Sequence, residues 1–198
     1  MSNRRETLLG AAILVLGERG MRALTHRAVD AQAGVAAGST ANYFPTREAL
    51  VEAIAERVSA IERDRFDQAA VKICPTSPAE LGRAIAEWAR DATGVHRALT
   101  LSRYAILVEA GNNALIRRQL AETGSRVNTW FANWLRLIGS HDPGRDVHVF
   151  GNYLTGLMLH QLAIPDPGFD PADKITALLE SLVTPPARVR ETRARHRS

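Results

Sequence analysis

The residues most able to do chemistry form one short run. Ser39, Thr40, Asn42 and Tyr43 sit together without an acidic neighbour, with Arg27 before them and Arg47 after them. Hydroxyls, an amide and guanidinium groups at this spacing suit phosphate oxygens and base edges in a groove. Catalytic alternatives are poorly supplied. His26, His96, His141, His148, His160 and His196 fit no metal-binding spacing, and neither a His-Glu-x-x-His, a Gly-x-Ser-x-Gly nor a phosphate-binding Gly-rich loop occurs. Glu109 with His148 or His160 offers an acid/base pair only if a fold brings them together. An enzyme is therefore not expected, and no cofactor or metal is expected.

The elements that position the polar run are two short helices around a tight turn. Thr25 suits an N-cap, and Ala28, Val29, Gln32 and Ala33 give a compact face. Gly34 suits a left-handed stop, and Val35 plugs the corner. A second helix is expected near Ala37 to Tyr43. An amphipathic first helix, with Leu8, Ala11, Ala12 and Val15 on one face, precedes both.

Residues 1 to about 55 resemble the DNA-binding domain of the TetR family of transcriptional regulators. Three ordered anchors carry the resemblance: Glu18-Arg19-Gly20 followed by Leu24-Thr25-x-Arg27, the turn Ala33-Gly34-Val35, and Tyr43-Phe44-x-x-Arg47-Glu48-Ala49-Leu50. The resemblance implies DNA contacts from Thr25, Arg27, Ala37, Ser39, Thr40, Asn42, Tyr43 and Arg47. Four positions depart from the family pattern. Ala36 and Ala37 stand where polar residues are common, Thr40 where Leu usually packs, and Ala41 where many members have Tyr. Sparse side-chain readout would shift the burden to phosphate contacts and DNA shape.

The rest of the chain reads as all-α, with no alternating strand pattern. A connector helix spans Thr46 to about Val71, and Pro75 and Pro78 break it. Helices then follow near Pro78 to Thr93, Val95 to Ala110, Ala114 to Ile138, Gly144 to Ile164 and Pro171 to Leu182. The expected division is a helix-turn-helix domain over 1–45, a larger helical domain over 46–184 and a disordered Arg-rich tail over 185–198. In helix order and length the second domain resembles the ligand-binding and dimerisation domain of the same family. Arg103-Tyr104-x-Ile106-Leu107-x-Glu109-Ala110 is similar to a stretch seen in some members.

Trp88, Arg103, Tyr104, Leu107, Trp130, Trp134 and Asn152, with Phe131 and Asn133 beside them, are candidate walls of a pocket for an apolar or planar small molecule. Each aromatic serves equally well as core. Val147 to Pro165 holds no formally charged residue, yet His148, Asn152, Thr155, His160 and Gln161 within it argue against a membrane span. It reads as a helix buried on two sides, with Phe150, Leu154 and Leu157 toward its own core. Val147, Gly151, Thr155, Met158 and Leu162 are then candidates for a homodimer interface. The resemblance implies that the last two helices pair with their symmetry mates, placing two heads on half-sites of a palindrome. It also implies repression relieved by a ligand. An orphan dimeric regulator acting through DNA or a protein partner, without a small molecule, is the alternative.

Charge adds less than the high pI suggests. The last eleven residues hold Arg188, Arg190, Arg193, Arg195 and Arg197 against Glu191, which accounts for the whole formal charge of +4. This tail is expected to add salt-sensitive attraction to a DNA backbone. The single cysteine, Cys74, excludes an intramolecular disulfide and fits a reducing compartment, so a cytoplasmic location is expected. The amino terminus reads as a folded helix rather than a signal peptide, because Glu6 and Glu18 bracket its apolar run.

Overall fold

The computed structural model describes residues 4–183, which form helices and no strand. The Arg-rich tail lies outside the described residues. Helix α1 (Arg4–Arg19) buries Leu8, Leu9, Ala12, Val15 and Leu16, a stripe at helical spacing. A 3-10 turn, Met21–Ala23, leads into α2 (His26–Ala33) and α3 (Ser39–Tyr43). The sequence predicts α3 from Ala37, but Gly38 adopts φ 88° and so ends the preceding turn rather than opening the helix earlier. Ala37 consequently lies in the turn.

Helix α4 (Arg47–Lys72) follows, capped by Thr46, whose hydroxyl accepts from the Ala49 amide at 3.1 Å. It is about 39 Å long and ends before Pro75. The remaining helices are α5 (Pro78–Thr93), α6 (Arg97–Glu109), α7 (Ala114–Leu137), α8 (Pro143–Ala163) and α9 (Ala172–Val183). Their starts are chemically marked. Ser77 and Pro78 open α5, Asn113 accepts from the Leu115 and Ile116 amides, and Asp142 with Pro143 opens α8. Among the described residues, no helix is long and apolar enough to cross a membrane.

Two apolar clusters organise the chain. The first joins α1, α2 and the front half of α4 to α6 through Leu16, Leu24, Leu50, Ile54 and Ile106. The second joins the rear of α4 to α5, α7, α8 and α9 through Phe66, Leu81, Phe131, Phe150 and Leu179. Where α1 crosses α6, Gly17 abuts the Ala98 backbone so closely that no side chain fits. Beside that crossing the Ser102 hydroxyl donates to the Ile13 carbonyl at 2.7 Å. Helix α6 thus sets the position of the amino-terminal helices.

A lattice of polar contacts fastens α7 to α4. Arg63 donates to Thr123 at 2.9 Å, Arg126 pairs with Asp67 at 2.6 Å, and the Trp130 indole donates to Asp67 at 3.2 Å. The Trp134 indole donates to the Ile73 carbonyl at 3.1 Å.

Candidate nucleic-acid interface and internal cavity

Thr25 caps α2 by accepting from the Ala28 amide at 3.1 Å, and Gly34 closes it at φ 65°. The following turn carries α3, whose own N-cap, Gly38, has no side chain to satisfy the first amides. A residue that sequence reasoning did not single out supplies the missing acceptor. Asp30, only 3% exposed, accepts from the Gly38 and Thr40 amides, each at 2.8 Å, and from the Thr40 hydroxyl. Burial pushes its carboxyl up, but these hydrogen bonds, with His26 nearby, outweigh that and hold it below the usual carboxylate value. An acidic residue at a core-facing helical position, ten residues before an inward Thr, was the available signal.

Thr40 therefore does not reach DNA. It is fully buried against Asp30, which explains why a hydroxyl replaces the usual packing Leu. Ser39 is half-buried and donates to the Ala36 carbonyl at 2.6 Å. Ala41, Asn42 and Tyr43 are exposed, Tyr43 at 46%. Arg27 is exposed on α2 and makes no ion pair among the described residues. Arg47 donates to the Met21 carbonyl at 2.9 Å, so its charge is exposed yet tethered. Phe44 is buried, with the Arg5 guanidinium 5.5 Å over its ring. The exposed surface is a shallow polar face with three cationic or hydroxyl-bearing corners, Arg27, Tyr43 and Arg47.

An internal cavity of about 230 Å³ opens between α4, α5, α6, α7 and α8. Phe66, Trp88 and Phe131 form one wall, with ring centroids 5.2 Å apart for Phe66 and Trp88 and 5.7 Å for Phe66 and Phe131. Glu62 and Arg103 supply its charges and pair with each other at 2.9 Å. Burial pushes the Glu62 carboxyl above its ordinary value, and Arg103 and Arg65 offset this only in part. Glu62 was missed in the sequence, although Ala55, Ser59, Glu62 and Phe66 form one inward stripe of α4.

Of the sequence candidates, Trp88, Arg103, Leu107, Asn152 and Phe131 line the cavity. Tyr104, Trp130, Trp134 and Asn133 do not. The Tyr104 hydroxyl donates to the Thr155 carbonyl at 3.0 Å, and the two indoles bond α4 as described. Asn133 accepts from Arg136 at 2.8 Å.

The expected interface stripe of α8 also needs correction. Val147, Met158 and Leu162 are buried within the chain, Leu162 with Ala89, Ala92 and Tyr104. Gly151 and Thr155, with Val147 and Met158, line the cavity. The apolar stripe is spent on this chain's own helices because α5, α6 and α7 cover it. The outward side of α8 instead carries Val149, Gly156, His160 and Ile164, with half-buried Tyr153.

Residues 8–54 match the model of the family described as bacterial regulatory proteins, tetR family. Residues 76–185 match that of the tetracyclin repressor-like C-terminal domain. A multidrug binding protein, EbrR, solved in complex with ethidium, is 25% identical over 92% of this chain and 100% of that one, with a TM-score of 0.67. Its complex with imidazole is matched at 26% identity over 95% and 99%, with a TM-score of 0.64. A transcriptional regulator from Rhodococcus sp. Rha1 shares the fold at 17% identity, with 90% and 95% covered and a TM-score of 0.75. No curated protein matches the chain. With a helix-turn-helix head and a helical carboxy-terminal domain that together account for most of its length, the chain belongs to the TetR family: it is a DNA-binding transcriptional regulator, not an enzyme.

Proposed function

We propose that this regulator is a homodimeric repressor whose two heads grip a palindromic operator and release it when a planar aromatic ligand fills the cavity. The observation that carries this reading is a pair of adjacent residues on α6. Ser102 bonds the Ile13 carbonyl of α1, and Arg103 enters the cavity as the partner of Glu62. A ligand that displaces Arg103 acts on the helix that holds the head. By linkage, whatever such a ligand costs DNA binding, DNA costs ligand binding equally.

In this reading the head, residues 1–45, meets DNA through Thr25, Arg27, Ala37, Ser39, Asn42, Tyr43 and Arg47. Arg27, Tyr43 and Arg47 take phosphate, while Asn42 and the Ala37 methyl face base edges. Residues 46–184 form the effector and dimerisation region. The effector is a compact planar ring system. EbrR was solved with ethidium and proflavin, and here three aromatic rings and the Glu62 carboxylate offer faces and charge to a similar cation. The dimer forms along Val149, Tyr153, Gly156 and His160 of α8, one stripe at helical spacing, with Ile164 just past its end. The protein works in the compartment that holds the chromosome.

A mobility shift with DNA from the gene's own upstream region and excess nonspecific competitor tests the operator. Specific binding lost in a Tyr43→Ala, Arg47→Ala double variant supports the reading. Binding that survives in the variant removes α3 as the reading element. Ethidium titrated into the DNA-free protein tests the cavity, because bound dye quenches Trp88. No saturable quenching leaves a regulator without this ligand class.

A further inference from the structure

The recognition helix α3 has five residues, Ser39–Tyr43. A helix this short has almost no stability of its own, so its pitch against α2 must be imposed from outside. Both impositions come from α2. At one end the buried Asp30 carboxylate takes the Gly38 and Thr40 amides and the Thr40 hydroxyl. At the other end His26 Nε2 lies 2.6 Å from the Phe44 carbonyl. A carbonyl can only accept, so Nε2 carries the proton. Phe44 then plugs the head core.

We infer that Asp30, which is buried, and His26, which is turned to the Phe44 carbonyl, form a two-point clamp that sets the angle of α3 and thereby the sequence selectivity of the head. The inference rests on the reading of α3 as the DNA-reading helix. Asp30 is the stronger point, because its two oxygens serve three donors. An amide in its place would turn an N–H₂ toward one of them, leaving a buried donor facing a donor. Tilting α3 moves Asn42 and Tyr43 relative to Arg27. Base-edge bonds are lost at small displacements, whereas long-range attraction to phosphate is not. Loss of the clamp therefore lowers specific affinity and spares nonspecific affinity.

The experiment compares full-length wild type, Asp30→Asn, His26→Phe, His26→Gln and the double variant Asp30→Ala, Thr40→Leu. Each is titrated onto the genomic fragment that wild type selects and onto a scrambled copy, at one salt concentration and well below each melting transition. The double variant replaces the polar pair with an apolar one, which keeps the head folded without the carboxylate. Asp30→Asn is expected to bind the selected fragment about tenfold to a hundredfold more weakly, with scrambled-fragment affinity within about twofold of wild type. The double variant is expected to melt near wild type yet remain less selective. His26→Gln retains a donor and is expected to outperform His26→Phe. Unchanged selectivity in Asp30→Asn, parallel loss on both fragments, or full selectivity in the double variant overturns the clamp alone. A wild type that selects no fragment overturns the DNA-reading role of α3 and the clamp with it.

Discussion

Two glycines of α1 give opposite expectations for the same substitution. A Cβ on Gly17 would sit 2.7 Å and 2.8 Å from the Ala98 carbonyl carbon and Cα, and nearer still to its oxygen. Ordinary contact begins at 3.4 Å, so the carbonyl carbon alone requires α1 and α6 to part by about 0.7 Å in Gly17→Ala, and the nearer oxygen requires more. That opening stretches the 2.7 Å bond from Ser102 to Ile13 toward the limit of a hydrogen bond. Overpacking costs about 1–3 kcal/mol, and a weakened hydrogen bond adds about 1 kcal/mol. The gain from replacing a helical Gly returns about 1 kcal/mol. The net loss is about 1–3 kcal/mol, or a Tm lowered by about 2–12 °C for a chain of this size. Gly10 lies in the same helix with nothing within 4 Å of its Cβ position. Gly10→Ala should keep the propensity gain alone and raise Tm by about 2–4 °C. Calorimetry on the two variants isolates the crossing, since the intrinsic helix term is common to both. Equal Tm values for the two would refute the close approach of α1 to α6.

Arg27→Ala should weaken operator binding and reduce the slope of log affinity against log salt by about 1, measured by titration across salt concentrations; an unchanged slope assigns Arg27 to solvent. Glu62→Gln should weaken binding of ethidium to the DNA-free protein, read by fluorescence. In wild type the Glu62 carboxyl is held above its ordinary value, so cation affinity should decline on acidification before ordinary carboxylates titrate, and Glu62→Gln should flatten that profile. Stability should respond with the opposite sign at two sites. Asp30, held low, contributes stability that is present above its unfolded pKa and is lost only as pH falls through its folded value. Glu62, held high, contributes stability below its unfolded pKa that is lost as pH rises through its folded value. Thermal melts of Asp30→Asn and Glu62→Gln against pH would separate them. Gly156→Arg meets open space within the chain, so it should leave helicity intact and convert the proposed dimer to monomer in sedimentation; a persistent dimer moves the interface off this face of α8.

Helix boundaries were largely readable because caps and breakers are local. Ser77 and Pro78, Asn113, and Asp142 with Pro143 each mark a start by bonding their own next turn. The start of α3 is less legible because a glycine in sequence reads equally as a helix residue or a turn, and the positive φ of Gly38 emerges only in the fold. Thr40 could be seen as anomalous for its position, but its partner Asp30 sits on another helix, and sequence order does not reveal that pairing. The cavity was half legible. Trp88, Arg103, Leu107 and Asn152 were found by residue type, whereas Trp130 and Trp134 have the same type and face α4 instead. Glu62 was hidden because a charged residue on a long helix ordinarily faces water, and only packing against Arg103 shows that it does not. The outward side of α8 was misjudged for a related reason: an uncharged helix shows that it is covered, not by what.

The contacts that lace α7 to α4 turn the connector into a lever arm. Glu62 lies fifteen residues beyond Arg47, about 22 Å along the axis. With the rear of α4 fixed to α7 through Asp67 and Ile73, a tilt of about 5° about the cavity swings the front of α4 by about 2 Å. In the proposed dimer both heads swing, and their separation changes by about 4 Å, more than the roughly 3.4 Å between successive base pairs. A rotation of a few degrees is thus enough to put the two heads of such a dimer out of step with the repeat of the double helix.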